Sequence, residues 1–133
     1  MTIYHVNLKK KKRTGGARTP QRRRREYEIG RGPTETKISE GEEVVQELRV
    51  FGANTKLRVK ATSLINVSSK DGKTVRVKIL GLTENSSNPL YSRRGIITKG
   101  AVVKSTAGLV KVTSKPGRDG TLSGVLLEEA GAA

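Results

Sequence analysis

The chain has 133 residues, with 27 Lys or Arg against 12 Asp or Glu and a formal net charge of +15. It has no Cys, which excludes disulfides and thiolate metal sites, and no apolar run near the roughly 18 residues of a membrane span. So large an excess of cations repels itself and seeks a polyanion, of which nucleic acid is the commonest.

The charge is concentrated at the start. Residues 1–37 hold twelve Lys or Arg against Glu26, Glu28 and Glu35, and the other ninety-six residues hold fifteen against nine acids. Two tetrabasic runs, Lys9–Lys12 and Arg22–Arg25, flank a Thr14-Gly15-Gly16 break. Residues 1–37 therefore read as a basic extension, too polar to fold alone and ordered on RNA. A helical turn near Gln21–Tyr27 is expected only against a partner. In Met1–Leu8 the charges follow the apolar residues instead of preceding them, so no secretory signal is expected and the cytoplasm is the expected compartment.

From Ile38 to Glu128 the chain reads as short strands. Val44–Phe51 is the first candidate. In Thr55–Ala61 the apolar Leu57, Val59 and Ala61 alternate with Lys56, Arg58 and Lys60, and in Thr74–Leu80 the apolar Val75, Val77 and Ile79 alternate with Arg76 and Lys78. Ala101–Thr106 and Leu109–Ser114 form a candidate hairpin, and Thr121–Leu127 the last strand. Gly52-Ala53-Asn54, Lys70-Asp71-Gly72-Lys73, Ala107-Gly108 and Pro116–Gly120 are turn sequences between them. The fold class expected is all-β: a small closed or nearly closed barrel of about six short strands, over residues 38–128, with an extended basic arm. Residues 129–133 read as a disordered tail.

Candidate RNA ligands fall in four places. In the arm they are Lys9, Lys10, Lys11, Lys12, Arg13, Arg18, Arg22, Arg23, Arg24, Arg25 and Arg31, with Gly15 and Gly16 permitting close backbone approach or positive φ. A solubilising or targeting tail is the competing reading. Glu84–Gly100 reads as a long loop with Arg93, Arg94 and Lys99, in which Ile96 and Ile97 mark the return to the core and hold the arginines at its rim. The third place is the face shared by Lys56, Arg58 and Lys60, which merges with that of Arg76 and Lys78 if the two strands pair; a solvated face is the alternative. The fourth is the Pro116–Gly120 turn with Lys115 and Arg118, where Asp119 closes the turn. Glu40, Glu42, Glu43 and Glu47 form an acidic patch expected to face solvent or a basic neighbour. Tyr91 suits a base or the core equally.

Four aromatics in all, Tyr4, Tyr27, Phe51 and Tyr91, are too few for the stacking platform of a single-strand reader. His5 is the sole imidazole, and no nucleophile–base pair, carboxylate dyad or metal cluster assembles from the sequence. No catalysis, metal, cofactor, small-molecule substrate or membrane role is expected.

The residues also carry a resemblance. Arg13-Thr14-Gly15-Gly16 and Arg22–Arg25 followed by Glu26-Tyr27-Glu28-Ile29-Gly30-Arg31 resemble the N-terminal signature of the small-subunit ribosomal protein S8e family of archaea and eukaryotes. The similarity continues through Pro33–Ile38, Val77–Leu80, Asn88-Pro89, Arg93–Ala101 and Val112–Gly120, and covers about residues 13–127. The chain is short, like archaeal members, without the long insertion of eukaryotic ones. The resemblance implies a β-barrel with a basic extension that binds small-subunit rRNA beside neighbouring small-subunit ribosomal proteins. Met1–Lys12 departs from the Trp-containing start usual in that family, so contacts there do not carry over. Lys115 and Arg118 stand where Arg and Gln are more common, and Lys115 loses the bidentate fork. The function expected is a structural constituent of the small ribosomal subunit. A ribosome-assembly factor of the same barrel family, or a non-ribosomal nucleic-acid-coating protein, is the alternative.

Overall fold

A computed structural model of the chain describes residues 10–69 and 71–129. It divides into two compact units, Met1–Pro33 and Thr34–Ala133. The expected contact at Lys9 and residues 130–133 of the expected tail lie outside the described residues, whereas Glu129, expected as the first residue of that tail, ends the last strand, Ser123–Glu129.

The described part of the first unit, residues 10–33, is almost wholly solvent-exposed, as the polar composition of that stretch dictates. Its order is local. Gly15 N–H donates to the Lys12 carbonyl (3.0 Å) and Lys12 N–H to the Gly16 carbonyl (2.9 Å), closing a reverse turn with Arg13 and Thr14 at its tip. Gly15 sits at φ 81, the left-handed conformation that glycine adopts without steric cost. Further on, Glu26–Glu28 forms a single 3₁₀ turn. That turn lies at the C-terminal end of the stretch expected to become helical.

In the second unit, β1 (Lys37–Ile38), β2 (Val44–Arg49) and β3 (Thr55–Thr62) form a three-stranded sheet in the order β1-β3-β2. β4 (Leu64–Ser68), β5 (Thr74–Glu84), β6 (Val102–Ser105), β7 (Gly108–Val112) and β8 (Ser123–Glu129) close a barrel. The all-β barrel architecture is as expected, but the barrel has five strands instead of six, and the first two expected strands lie outside it. The reason lies at Ser63, the single residue between β3 and β4. Leu64 N–H donates to Thr62 Oγ1 at 3.2 Å, one of the local side-chain bonds that compete with a sheet ladder. The chain leaves one sheet there and enters the next.

Within the barrel, alternation sorts the side chains. Ile65, Val67, Ile79, Val103, Val110 and Val112 point inward and are buried together with Ile97 and Leu122. β4 closes the barrel against β8 in parallel, pairing Val67 with Gly124, while its other neighbour β5 is antiparallel. Gly124 makes the closure possible: a Cβ there would stand 2.6 Å from Val110 Cγ1 and 2.7 Å from the Lys111 carbonyl. Neither distance is tolerable for carbon. The expected hairpin of β6 and β7 forms with Val103 opposite Val110.

Two stretches expected as loops contain short helices. Asn88 caps α1 (Pro89–Arg93), accepting from Leu90 N–H at 2.9 Å, with Pro89 as the first helical residue. Pro116 likewise opens α2 (Pro116–Asp119), which Gly120 ends at φ 72. The Asp119 carboxylate closes that turn backwards by accepting from Lys115 N–H (2.8 Å).

Candidate nucleic-acid interface

The barrel has two ends, and the strand directions decide what each carries. β4 and β8 begin, β5 and β7 finish, and β6 begins at the same end, because β4 and β8 are parallel and all other neighbours antiparallel. The connections leaving this end are therefore 85–101, with α1 and Lys99, and 113–122, with α2. β3 also arrives here, through Ser63. The opposite end carries the Asp71-Gly72 turn and the Thr106-Ala107 turn. Sequence reasoning found Arg93, Arg94, Lys99, Lys115, Arg118 and the cations of β3 as separate groups; the topology brings them to one end.

The strap Thr34–Ile38 stitches this end together. Thr36, which is buried, donates its hydroxyl to the Val59 carbonyl of β3 (2.7 Å) and accepts Ile97 N–H on its own carbonyl (2.8 Å). Lys37 lies opposite Ala61 of β3 on one side and bridges Ile96 on the other. Arg58 reaches Thr34 Oγ1 (3.5 Å), and a Cβ on Gly117 of α2 would stand 3.1 Å from the same hydroxyl. Exposed Lys37 thus sits between the segment of Arg93 and Arg94, at the C-terminal end of α1, and β3, a position its sequence neighbours did not reveal.

The long connection is ordered because Asn85 spans it. Its side chain is 3% exposed; Nδ2 donates to the Ile96 carbonyl (2.9 Å), and Oδ1 accepts from Ser87 N–H (3.0 Å) and Thr98 Oγ1 (2.9 Å). Ile96 and Ile97 are buried, so the segment returns to the core where the sequence indicated. Arg93 and Arg94 are exposed in between.

Not every cation at hand is unengaged. Arg94 donates to Glu35 at 2.8 Å, and the backbone of Glu35, at φ 43, is held in place by the bonds of Thr36. In the arm, Arg22 donates to Glu28 and lies 5.6 Å from the centroid of Tyr27. The Glu28 carboxylate also accepts Arg25 N–H (3.0 Å). These bonds from the Arg25 backbone and then the Arg22 guanidinium hold Glu28 below the usual carboxylate range, and the bond to Glu28 raises Arg22. Lys10, Lys11, Lys12, Arg13, Arg18, Arg23, Arg24, Arg25 and Arg31 are exposed along the arm.

The basic strand faces do not merge. β3 pairs with β1 and β2, and β5 pairs with β4 and β6, so Lys56, Arg58 and Lys60 share no ladder with Arg76 and Lys78. Arg76 instead donates to Glu43 at 3.0 Å, which takes that glutamate out of the acidic patch; Glu40, Glu42 and Glu47 stay exposed. α2 packs on β3, bringing Lys115 and Arg118 beside the strand of Lys56, Arg58 and Lys60. Among the described residues there is no group of three or more His, Asp or Glu arranged for a metal, and no helix long and apolar enough to cross a membrane.

Comparison with known proteins gives the site its context. The sequence model of the family described as ribosomal protein S8e matches residues 5–127, reaching further into the N-terminal arm than the motifs alone suggest. The small ribosomal subunit protein eS8 of Staphylothermus marinus is 45% identical over 120 residues, covering 90% of this chain and 93% of that protein. Its namesake in Nanoarchaeum equitans is 45% identical over 116 residues, covering 86% and 90%. That of Sulfolobus acidocaldarius is 42% identical over 127 residues, covering 95% and 98%. A match of this extent, on a barrel whose basic connections emerge at one end, has one reading: the chain belongs to the ribosomal protein S8e family.

Proposed function

We infer that this chain is a structural constituent of the small ribosomal subunit, that it resides in the cytoplasmic ribosome, and that it scaffolds folded rRNA. The observation that carries the reading is the gathering of Arg93, Arg94, Lys99, Lys115 and Arg118 at the barrel end that β3 also reaches, in a chain whose relatives are named small ribosomal subunit proteins. The barrel supplies a rigid frame, and the exposed Lys and Arg displace condensed counterions from phosphates. Lys56, Arg58 and Lys60 add a basic sheet face. The arm, residues 1–37, engages RNA separately through Lys9–Arg13, Arg18, Arg22–Arg25 and Arg31, with Gly15 and Gly16 letting the backbone turn against it.

The protein acts by holding RNA helices in one arrangement and performs no reaction of its own. Readout is of phosphate and shape, as suits folded RNA. Neighbouring ribosomal proteins meet the surfaces left free, including the exposed carboxylates Glu40, Glu42 and Glu47. Filter binding of the full chain to small-subunit rRNA across a salt series tests this. With six to ten phosphate contacts, affinity falls about 10³–10⁵-fold between about 50 and 200 mM salt. Salt-independent binding, or equal affinity for duplex DNA, contradicts the reading.

A further inference from the structure

Phe51 is the chain's sole phenylalanine and is 99% exposed. Both faces of its ring lie in solvent. It stands at the tip of the β2–β3 hairpin, in the 3₁₀ turn Phe51–Ala53. A ring of this size left wholly in water forfeits the burial that normally justifies a phenylalanine.

The turn that displays it is locked and strained. Gly52 has φ 73 and ψ 26, and the next residue, Ala53, has φ 59. A left-handed alanine costs of order 1 kcal/mol or more and persists only where its surroundings impose it. Here Val50 N–H donates to the Asn54 carbonyl (2.7 Å), and Asn54 Nδ2 donates to the Phe51 carbonyl (3.3 Å). The backbone that carries the ring is thus fixed, and the ring itself projects into solvent.

Charge around the tip indicates the occupant. From Arg49 to Lys56 there is no carboxylate, and Lys56 belongs to the basic face of β3. An anchor for a protein pocket usually sits near the centre of a broad, well-packed patch whose surrounding contacts shut out water, whereas Phe51 projects from a narrow hairpin tip. The charged residues nearest to Phe51 in the chain, Arg49 and Lys56, are both cations, the setting in which an aromatic stacks on a splayed base beside a phosphate contact such as Lys56 offers. Tyr27, also largely exposed at 78%, differs: Arg22 lies over its ring.

We propose that Phe51 is a stacking site for an unpaired nucleobase of the RNA. The inference rests on the RNA-binding reading above and adds one base-contacting residue to a surface otherwise built for phosphate.

The chain has no Trp, so Phe51→Trp in the full-length protein gives a unique fluorophore. On titration with small-subunit rRNA, its emission is quenched in parallel with binding. Phe51→Ala keeps the wild-type melting temperature and salt slope but binds about 5- to 150-fold more weakly, the range for one stacked base. Emission unchanged in a sample that binds RNA normally, or Phe51→Ala binding with wild-type affinity, overturns the proposal and leaves RNA binding intact. Quenching that arises only after small-subunit proteins are added assigns Phe51 to a protein pocket and also overturns it. Absence of rRNA binding by the wild-type chain overturns both readings.

Discussion

Replacing Asn85 by Ala tests whether the basic connection is preorganised. The substitution removes three hydrogen bonds of 2.9, 3.0 and 2.9 Å. The Ile96 carbonyl loses its side-chain donor beside a buried residue, which costs about 1–3 kcal/mol for an acceptor left unpaired. The two bonds at Oδ1 contribute about 0.5–1.5 kcal/mol each, partly recovered because Ser87 is exposed and rebonds to water. The sum is on the order of 2–4 kcal/mol, or about 10–25 °C in melting temperature for a domain of this size. Thermal unfolding by circular dichroism reads the first effect, and filter binding to small-subunit rRNA reads the second. RNA affinity falls as well, although Asn85 touches no RNA, because Arg93, Arg94 and Lys99 are no longer held in one geometry. Asn85→Asp separates the contributions: it keeps the acceptors for Ser87 and Thr98 and loses the donor to Ile96. A variant Asn85→Ala that melts within about 2 °C of wild type, or that loses stability with unchanged affinity at low temperature, refutes the reasoning.

Deleting residues 1–31 removes eleven Lys or Arg and leaves a folded barrel that binds rRNA more weakly and with a shallower salt slope; an unfolded product would instead make the arm part of the core. Arg93→Ala weakens rRNA binding with no change in melting temperature. Arg94→Ala adds a stability loss below about 1 kcal/mol, as its partner Glu35 is only partly buried, and a larger loss measured by urea unfolding would make the residue structural. Glu28 titrates below the ordinary glutamate value of about 4.3, so its bonds to Arg25 N–H and Arg22 favour the 3₁₀ turn above that value and are lost as pH falls through the depressed one. NMR titration of the Glu28 side chain checks this, and a midpoint at or above about 4.3 contradicts it.

Much of the fold was legible because charge marked the alternation. Lys56, Arg58 and Lys60 against Leu57, Val59 and Ala61 identified β3, and Arg76 and Lys78 identified β5. β4 escaped because its outward residues, Leu64, Asn66 and Ser68, carry no charge and no turn signal separates it from β3. The barrel was overcounted because two expected strands, β2 and β3, belong to a separate sheet, which the one missed strand only partly offsets. The two helices had written signatures, Asn88-Pro89 and Pro116 with Gly120, but each is shorter than the periodicity that identifies a helix. In the site, cationic segments were visible while their pairing was not. Arg94 meets Glu35, 59 residues away, and Arg76 meets Glu43, 33 residues away; such partners follow from topology alone. The same holds for Phe51, whose place in the sequence looked like the end of a strand and whose exposure only the folded hairpin reveals.

Sucrose-gradient sedimentation of a cell lysate at rising salt, with the chain tracked by mass spectrometry, tests the central claim most directly. The account predicts one copy per mature small subunit and per full ribosome, retained at moderate salt. Confinement to precursor particles, or recovery mainly with DNA or membranes, would contradict it.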